Sequence, residues 1–300
     1  MELTLNNKKP FEELTCELFY ADILYKASLK QAFKGVNKLY HVAAVFKHWS
    51  RNPGKDILEA NLKGTQNVLE AAAECGIEKI IYVSSIAALD FNKLPMNEKS
   101  WGTVFPNTYF KAKNDSEKLA WHLAYKLSLN MITVLPSGMI GPEIFANMAL
   151  AMNMLNNMVK NRLAFDPQYE INYVHVKDVA KGMILAEQNG RIGERYILGS
   201  EYSLNTSNVI QIARNMYADI QVPKKANKRF QLFLAQIMKI TSIFTGKPPL
   251  LLKGNIHHYY KKEEHLDIEK ARRELGYNPR KPEIALKETI KYLYEKKTKE

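Results

Sequence analysis

The chain has 300 residues, 46% of them hydrophobic and 25% charged, with 14 glycines and 12 prolines, which supports a substantial core and excludes a disordered or fibrous chain. No apolar run approaches the ~18 residues of a membrane span, Met1 does not open the basic-apolar-small order of a secretory signal, and two cysteines, Cys16 and Cys75, are too few for a disulfide framework. The expected location is the cytoplasm, and the net charge of +12 raises the question of an anionic partner.

In chain order, Glu17–Ala21 reads as a strand, and Ser28 is placed to cap a short helix ending near Gly35. Lys38–Ala43 is a second strand. A long helix follows over Asp56–Glu74, with an apolar stripe from Leu58 to Ala72, and Gly76 stops it. Lys79–Val83 is an almost unbroken apolar run, as expected of a strand buried on both faces of a parallel sheet. A loop with Pro95 and Pro106 leads to a helix over Thr108–Leu127, then to another buried strand, Met131–Leu135. Strand–helix alternation predicts a doubly wound parallel α/β sheet, because parallel neighbours need crossover helices.

Past Gly141 helices dominate: Glu143–Lys160, Asp178–Glu187, Thr206–Tyr217, Phe230–Phe244, Asp267–Leu275 and Pro282–Lys297, with short strands at Ile171–Val174 and Arg195–Leu198. The expected division is a doubly wound unit over 1–141, with a return contribution near 171–200, and a smaller mixed α/β substrate-side lobe over 142–300. Phe230–Ile256 reads as a helix plus loop near a substrate entrance. Residues 221–300 hold 19 Lys/Arg against 9 Asp/Glu. The plain reading is a solvated helical face; the alternative is a patch for an anionic substrate or an anionic membrane surface. No nucleic-acid motif accompanies the charge, and His257-His258 lacks partner ligands at metal spacing, so no metal site is expected.

Ligands of a doubly wound sheet bind at the carboxyl ends of its strands. There the sequence places Asp22, Ala43-Ala44, Ser84-Ser85 and Pro136-Ser137-Gly138, small and hydroxyl-bearing residues against which a flat cofactor can lie. Tyr109 and Lys113 stand four apart on the next helix and share a face. An ammonium lowers a nearby phenol's pKa and equips it for acid/base work. Tyr-x-x-x-Lys also occurs at 173/177, 277/281 and 292/296, so spacing alone decides nothing. Only Tyr109 opens a helix between a strand ending in Ser84-Ser85 and one ending in Pro136-Ser137. Hydroxyl, phenol and ammonium at one sheet edge suit hydride transfer or epimerisation.

With these residues in place, the chain resembles an extended short-chain dehydrogenase/reductase of the NAD-dependent epimerase/dehydratase superfamily. The resemblance is carried by Ala21-Asp-Ile23, His41-Val-Ala-Ala44, Asn61-Leu-Lys-Gly-Thr-Gln-Asn67, Tyr82-Val-Ser-Ser85, Tyr109-Phe-Lys-Ala-Lys113 and Pro136-Ser-Gly-Met-Ile-Gly-Pro142. Later blocks, Val174–Ala180, Gly193–Gly199 and Leu275–Arg280, extend it over nearly the whole chain. Phe46–Pro53 and Gly190–Gly199 look most like the dihydroflavonol-reductase-like branch, close to bacterial hopanoid-associated sugar epimerases.

The resemblance implies NAD or NADP as cofactor, a small-molecule substrate of the sugar-like or polycyclic alcohol/ketone kind, and a homodimer. It assigns Tyr109 as catalytic acid/base, Lys113 as the group that lowers its pKa and binds the nicotinamide ribose, and Ser85 as the residue that orients the substrate oxygen. Asp22 and Ile23 would meet the adenine; Ala43, Ala44, Ser84, Pro136, Ser137, Gly138 and Met139 would line the ribose and nicotinamide; Asn61 would lie near the cofactor ribose, unless it only holds local backbone. Asp178 is read as a helix cap and His175 as satisfied at the lobe boundary.

The family begins with a strand and a Gly-x-x-Gly-x-x-Gly loop that holds the pyrophosphate, and no such loop stands here; the matched blocks start near Leu14. The expectations are therefore two. Either the chain is a shortened reading of a longer gene for an NAD(P)-dependent oxidoreductase or epimerase, or it is a degenerate relative acting as a non-catalytic binding or scaffold protein. Residues Met1–Asn7 supply at most the tail of a second strand.

Overall fold

The computed structural model describes residues 11, 14–142 and 150–298. A parallel four-stranded sheet organises the first lobe. Its strands are β1 (Lys38–His41), β2 (Lys79–Val83), β3 (Met131–Pro136) and β7 (Arg195–Leu198), in the spatial order β1-β2-β3-β7. The registers are parallel throughout, Tyr40 opposite Ile81, Ile81 opposite Ile132 and Val134 opposite Tyr196. Alternate side chains of a strand leave on opposite faces, and both faces are covered. On one, Ile80, Tyr82 and Met131 meet α1 (Lys26–Ala32), α2 (Ala60–Glu74) and α3 (Thr108–Lys126) through Leu29, Phe33, Leu69, Ala72 and Leu123. On the other, Ile81, Ile132, Val134 and Tyr196 meet α5 (Val176–Asn189) and α9 (Glu269–Leu275). This is the doubly wound, Rossmann-like arrangement that the apolar runs predict.

The second lobe has its own core, in which α4 (Leu150–Val159), α6 (Thr206–Met216) and α10 (Pro282–Lys297) close around Ile171, Tyr173 and Ile256. Two small sheets complete it: β4 (Gly138–Ile140) beside β6 (Tyr173–His175), and β5 (Glu170–Ile171) beside β8 (Leu204–Asn205). The helix expected over Glu143–Lys160 is described from residue 150 onward; Met1–Asn7 and 143–149 lie outside the described residues.

Three expectations are corrected. Glu17–Ala21 is irregular and exposed rather than a strand, because among the described residues no strand lies beside it to take its backbone hydrogen bonds. The same holds for the outer edge of β1, which has β2 on one side and no described strand on the other. Ser28 does not cap α1, whose N-cap is Tyr25; its buried hydroxyl accepts from the Asp22 N–H at 2.9 Å and donates to the Tyr25 carbonyl at 2.7 Å. The cap of α5 is His175, whose Nδ1 accepts from the Lys177 N–H at 3.0 Å, while Asp178 clamps Arg280 instead.

Candidate active site

β2 and α3 bring Ser85, Tyr109 and Lys113 to one edge of the sheet. Ser85, just past β2, caps a short 3₁₀ turn (Ile86–Ala88), its Oγ accepting from the Ala87 N–H at 3.2 Å, and its hydroxyl lies close enough to the Tyr109 phenol to lower its pKa. Tyr109 is fixed by the start of α3, where the Asn107 side chain accepts from the Tyr109 and Phe110 N–H groups at 2.9 and 3.3 Å. Lys113 follows one turn later on the same face, with no ion-pair partner among the described residues.

Burial dominates the electrostatics. Tyr109 is 7% exposed, and desolvation pushes its phenol up to about 12 against the lowering effect of the Ser85 hydrogen bond. Burial brings Lys113 down to about 8, with the Glu117 carboxylate holding it up. Desolvation thus moves the phenol up, opposite to the lowering expected from Lys113. Phe46 and His48 roof the phenol edge-on and tilted, their ring centroids 5.1 and 4.6 Å from that of Tyr109.

The remaining sequence-predicted residues divide. Ala43 is exposed and Ala44 half-buried at the end of β1, leaving open backbone. Ser137, after β3, is buried with its Oγ unpartnered, and Gly138 donates its N–H to the Asn172 carbonyl at 2.9 Å. A Cβ at Gly138 would come 3.0 Å from that oxygen, so glycine permits the close approach. Pro136 closes β3 and Met139 is exposed.

Others are occupied by the protein itself. Ser84 donates to Glu117 at 2.6 Å. Asn61 spends its amide on backbone, accepting from the Val45 N–H at 2.9 Å and donating to the Val45 and Ile57 carbonyls at 3.1 and 2.8 Å, so it holds the segment after β1 in place. Asp22 Oδ1 takes the Leu24 N–H at 2.8 Å. Ile23 packs on Gly64, its carbonyl accepting from Asn67 at 2.9 Å.

The donor set fits the nicotinamide-ribose end of a dinucleotide: a phenol, a hydroxyl and an unpaired ammonium, with an orphaned buried Ser137 Oγ and open alanines beside them. For the pyrophosphate, no strand-to-helix turn among the described residues carries a glycine cluster.

Several residues escape sequence reasoning. His48 has both ring nitrogens buried without partners, and burial lowers its pKa to about 4. Its only sequence signal is its place in the Phe46–Pro53 stretch. Beneath Ser84, Glu117 and Arg195 form a fork, Nε to Oε1 at 2.7 Å and Nη2 to Oε2 at 3.0 Å, and the Arg195 guanidinium stacks on Trp101 at 3.7 Å. Beside the site a cavity of about 420 Å³ opens between Phe91, Phe105, Pro106 and the helix α8 (Lys253–Tyr259). Within it Glu264 is pushed up to about 8 by burial, and His258 is held down to about 3 by the same cause.

Comparison with known proteins comes to the same fold. The model of the NAD dependent epimerase/dehydratase family matches residues 3–199. The cinnamoyl-CoA reductase CAD2 of Medicago truncatula is 28% identical over 224 residues, 70% of this chain and 67% of that protein. The tetraketide alpha-pyrone reductase 1 of Arabidopsis thaliana is 25% identical over 223 residues, 70% of this chain and 68% of that protein. Among solved structures, gox2253 superposes with a TM-score of 0.80 at 29% identity, covering 98% of this chain and 89% of that one. The yeast methylglyoxal/isovaleraldehyde reductase Gre2, complexed with NADPH, superposes with a TM-score of 0.72 at 20% identity, covering 93% and 84%.

Proposed function

Since the chain belongs to the NAD-dependent epimerase/dehydratase family, whose chemistry is NAD(P)-dependent, we propose that it reduces the carbonyl of a planar aromatic or polycyclic ketone or aldehyde at Ser85, Tyr109 and Lys113. The observation that carries the reading is the placement of the Ser85 hydroxyl beside a buried Tyr109 phenol at the start of α3, one turn before the unpaired Lys113 ammonium. A protonated phenol is a donor, so the site is set for protonating a carbonyl oxygen. The aromatic roof of Phe46 and His48, and the Phe91 and Phe105 walls of the adjoining cavity, support a flat unsaturated substrate over a sugar. A cinnamoyl-CoA reductase and a tetraketide alpha-pyrone reductase stand among the relatives.

A dinucleotide held at Lys113, Ser137 and the alanines after β1 would supply the hydride for the carbonyl carbon. Tyr109 gives its phenolic proton to the carbonyl oxygen, which becomes the alcohol. Ser85 orients that oxygen by hydrogen bonding. Lys113 offsets the negative charge left on the phenolate and would hold the cofactor's ribose, and solvent returns the proton.

The test has two stages. Nicotinamide fluorescence reports NADH and NADPH binding, which Lys113→Met weakens while the melting temperature holds. Turnover of cinnamaldehyde and aromatic ketones then falls by about 10²–10⁴-fold in Tyr109→Phe. Because Lys113 is charged below about 8, reductive kcat stays level to that pH and declines above it. Absence of both dinucleotide binding and turnover rejects the proposal in favour of a non-catalytic binding protein, and turnover indifferent to Tyr109→Phe rejects Tyr109 as the proton donor.

A further inference from the structure

Helix α7 (Lys228–Thr245) is inside out by the ordinary rule for a helix of a globular protein. The residues it buries are Gln231, Ala235 and Ser242. The residues it exposes include Phe230, Phe233, Ile237, Ile240 and Phe244, spaced by three and four and so forming one continuous strip along the helix. Phe233 is 65% and Phe244 81% exposed, and Leu250, past the helix end, is 83% exposed. By contrast α10 turns Leu286, Ile290 and Leu293 into the second core.

The inversion is not a helix left adrift. Asn227 caps it, accepting from the Phe230 N–H at 2.9 Å, and the Gln231 amide donates to the Pro167 and Ala226 carbonyls at 3.0 Å each. Gly246 ends it in the left-handed region at φ 67° and sits against the Arg51 guanidinium. The following helix α8 packs on α7 and lies so close to the Pro106 carbonyl that only glycine fits at 254, while Asn107 donates to Asn255 at 2.8 Å. The arm is thus locked with its apolar strip facing outward.

Charge identifies what the strip meets. Residues 221–262 carry nine Lys/Arg and no Asp or Glu. Two copies placed strip to strip would oppose these cations at close range, and a nucleic acid would neutralise them but leave the phenylalanines in water. A bilayer with anionic headgroups satisfies both halves, taking the strip into the headgroup–acyl boundary and pairing the cations with phosphate. No helix among the described residues is long and apolar enough to cross a membrane, so this helix lies along the surface.

We propose that α7 and the basic segment around it dock the protein on an anionic phospholipid membrane. Since α8, the helix packed on α7, also forms a wall of the 420 Å³ cavity, docking sets that cavity beside the lipid boundary.

Co-sedimentation with vesicles tests this without any assay of activity, so its outcome is independent of the proposed reaction. The intact chain is expected to sediment with phosphatidylcholine vesicles containing phosphatidylglycerol, and about tenfold less with phosphatidylcholine alone. The variant Phe233→Ser/Ile240→Ser/Phe244→Ser loses at least about tenfold of the binding with an unchanged melting temperature, since these side chains touch solvent rather than core. Lys228→Gln/Lys239→Gln/Lys247→Gln lowers binding to anionic vesicles alone. Failure to sediment with phosphatidylglycerol vesicles overturns the proposal. So does a dimer in sedimentation velocity that the triple serine variant converts to monomer, which would assign the face to a second copy of the chain.

Discussion

Glu264 is a carboxyl in the wrong medium. It is 4% exposed, takes the Asn172 N–H at 2.7 Å, and has the His258 imidazole 4.0 Å away with no other cation among the described residues close enough to pair. Burial raises its pKa to about 8, with Glu170 adding in the same direction and the Asn172 hydrogen bond opposing. A group whose folded pKa lies above its unfolded value of 4.5 favours the native state fully below that value, and the contribution is lost as pH rises through about 8. The magnitude is on the order of a few kcal/mol. Glu264→Gln keeps an acceptor for Asn172 and removes the titration. Its melting temperature should match the wild type near pH 5 and exceed it by several degrees near pH 9, read by circular dichroism across that range. Parallel curves for the two proteins would show that Glu264 is ionised in the folded state. The buried imidazoles act on the opposite flank. His41, His48 and His258 have pKa values lowered by burial, so their contribution is present above about 6.5 and is lost as pH falls toward 4.

Between elements, the Glu117–Arg195 fork ties α3 to β7 across the first lobe, buried on both sides. It also holds up the charge of Lys113 from one turn away on α3. Glu117→Gln leaves the Arg195 guanidinium buried without its carboxylate, which costs about 3–5 kcal/mol, and removes the anion that favours the Lys113 ammonium. Two readouts should move together: the melting temperature falls, and the pH above which dinucleotide binding weakens drops below that of the wild type. A stability loss with an unmoved pH profile would confine Glu117 to a structural role. This pair marks the limit of what a sequence discloses. β2, β7 and α10 were legible to the residue because unbroken apolar runs and a proline at a helix start are local signals. Tyr109 and Lys113 were legible from their spacing on one helix between two strand ends. The partners of Ser84 and Ser85 were not: the two serines read alike, yet as neighbours past a strand they face different ways, Ser84 to Glu117 and Ser85 to Tyr109. Glu117 and Arg195 stand 78 residues apart with no local pattern linking them. Glu17–Ala21 has the composition of a strand, but strand formation needs a neighbour, and composition carries no record of one.

At the scale of the molecule, one C-terminal stretch joins both cores. α9 packs Ala271 and Leu275 beneath β7, and Tyr277 donates its hydroxyl to the Gly199 carbonyl at 3.1 Å. α10 then supplies Ala285, Leu286, Ile290 and Leu293 to the second core. Between them Arg280 is the hinge pin. Its Nε and Nη2 donate to Asp178 at the start of α5 at 2.9 and 3.1 Å, its backbone N–H donates to the same carboxylate at 3.0 Å, and Nη1 reaches Glu288 on α10. One guanidinium thus grips an α5 carboxylate on the sheet side and an α10 carboxylate on the other. The pair is half-open to water, so its worth is about 1–3 kcal/mol rather than that of a buried pair. Arg280→Lys retains the charge but not the two-pronged geometry, and Arg280→Ala removes both. Calorimetry should show the melting temperature falling by a few degrees in Arg280→Ala and by less in Arg280→Lys. The transition in Arg280→Ala should also broaden, because the two cores lose the contact that makes them unfold together. An Asp178→Ala background should absorb most of the Arg280→Ala effect, since both remove the same interaction. Full additivity of the two substitutions would place the coupling of the cores elsewhere, in the packing of α9 and α10 themselves.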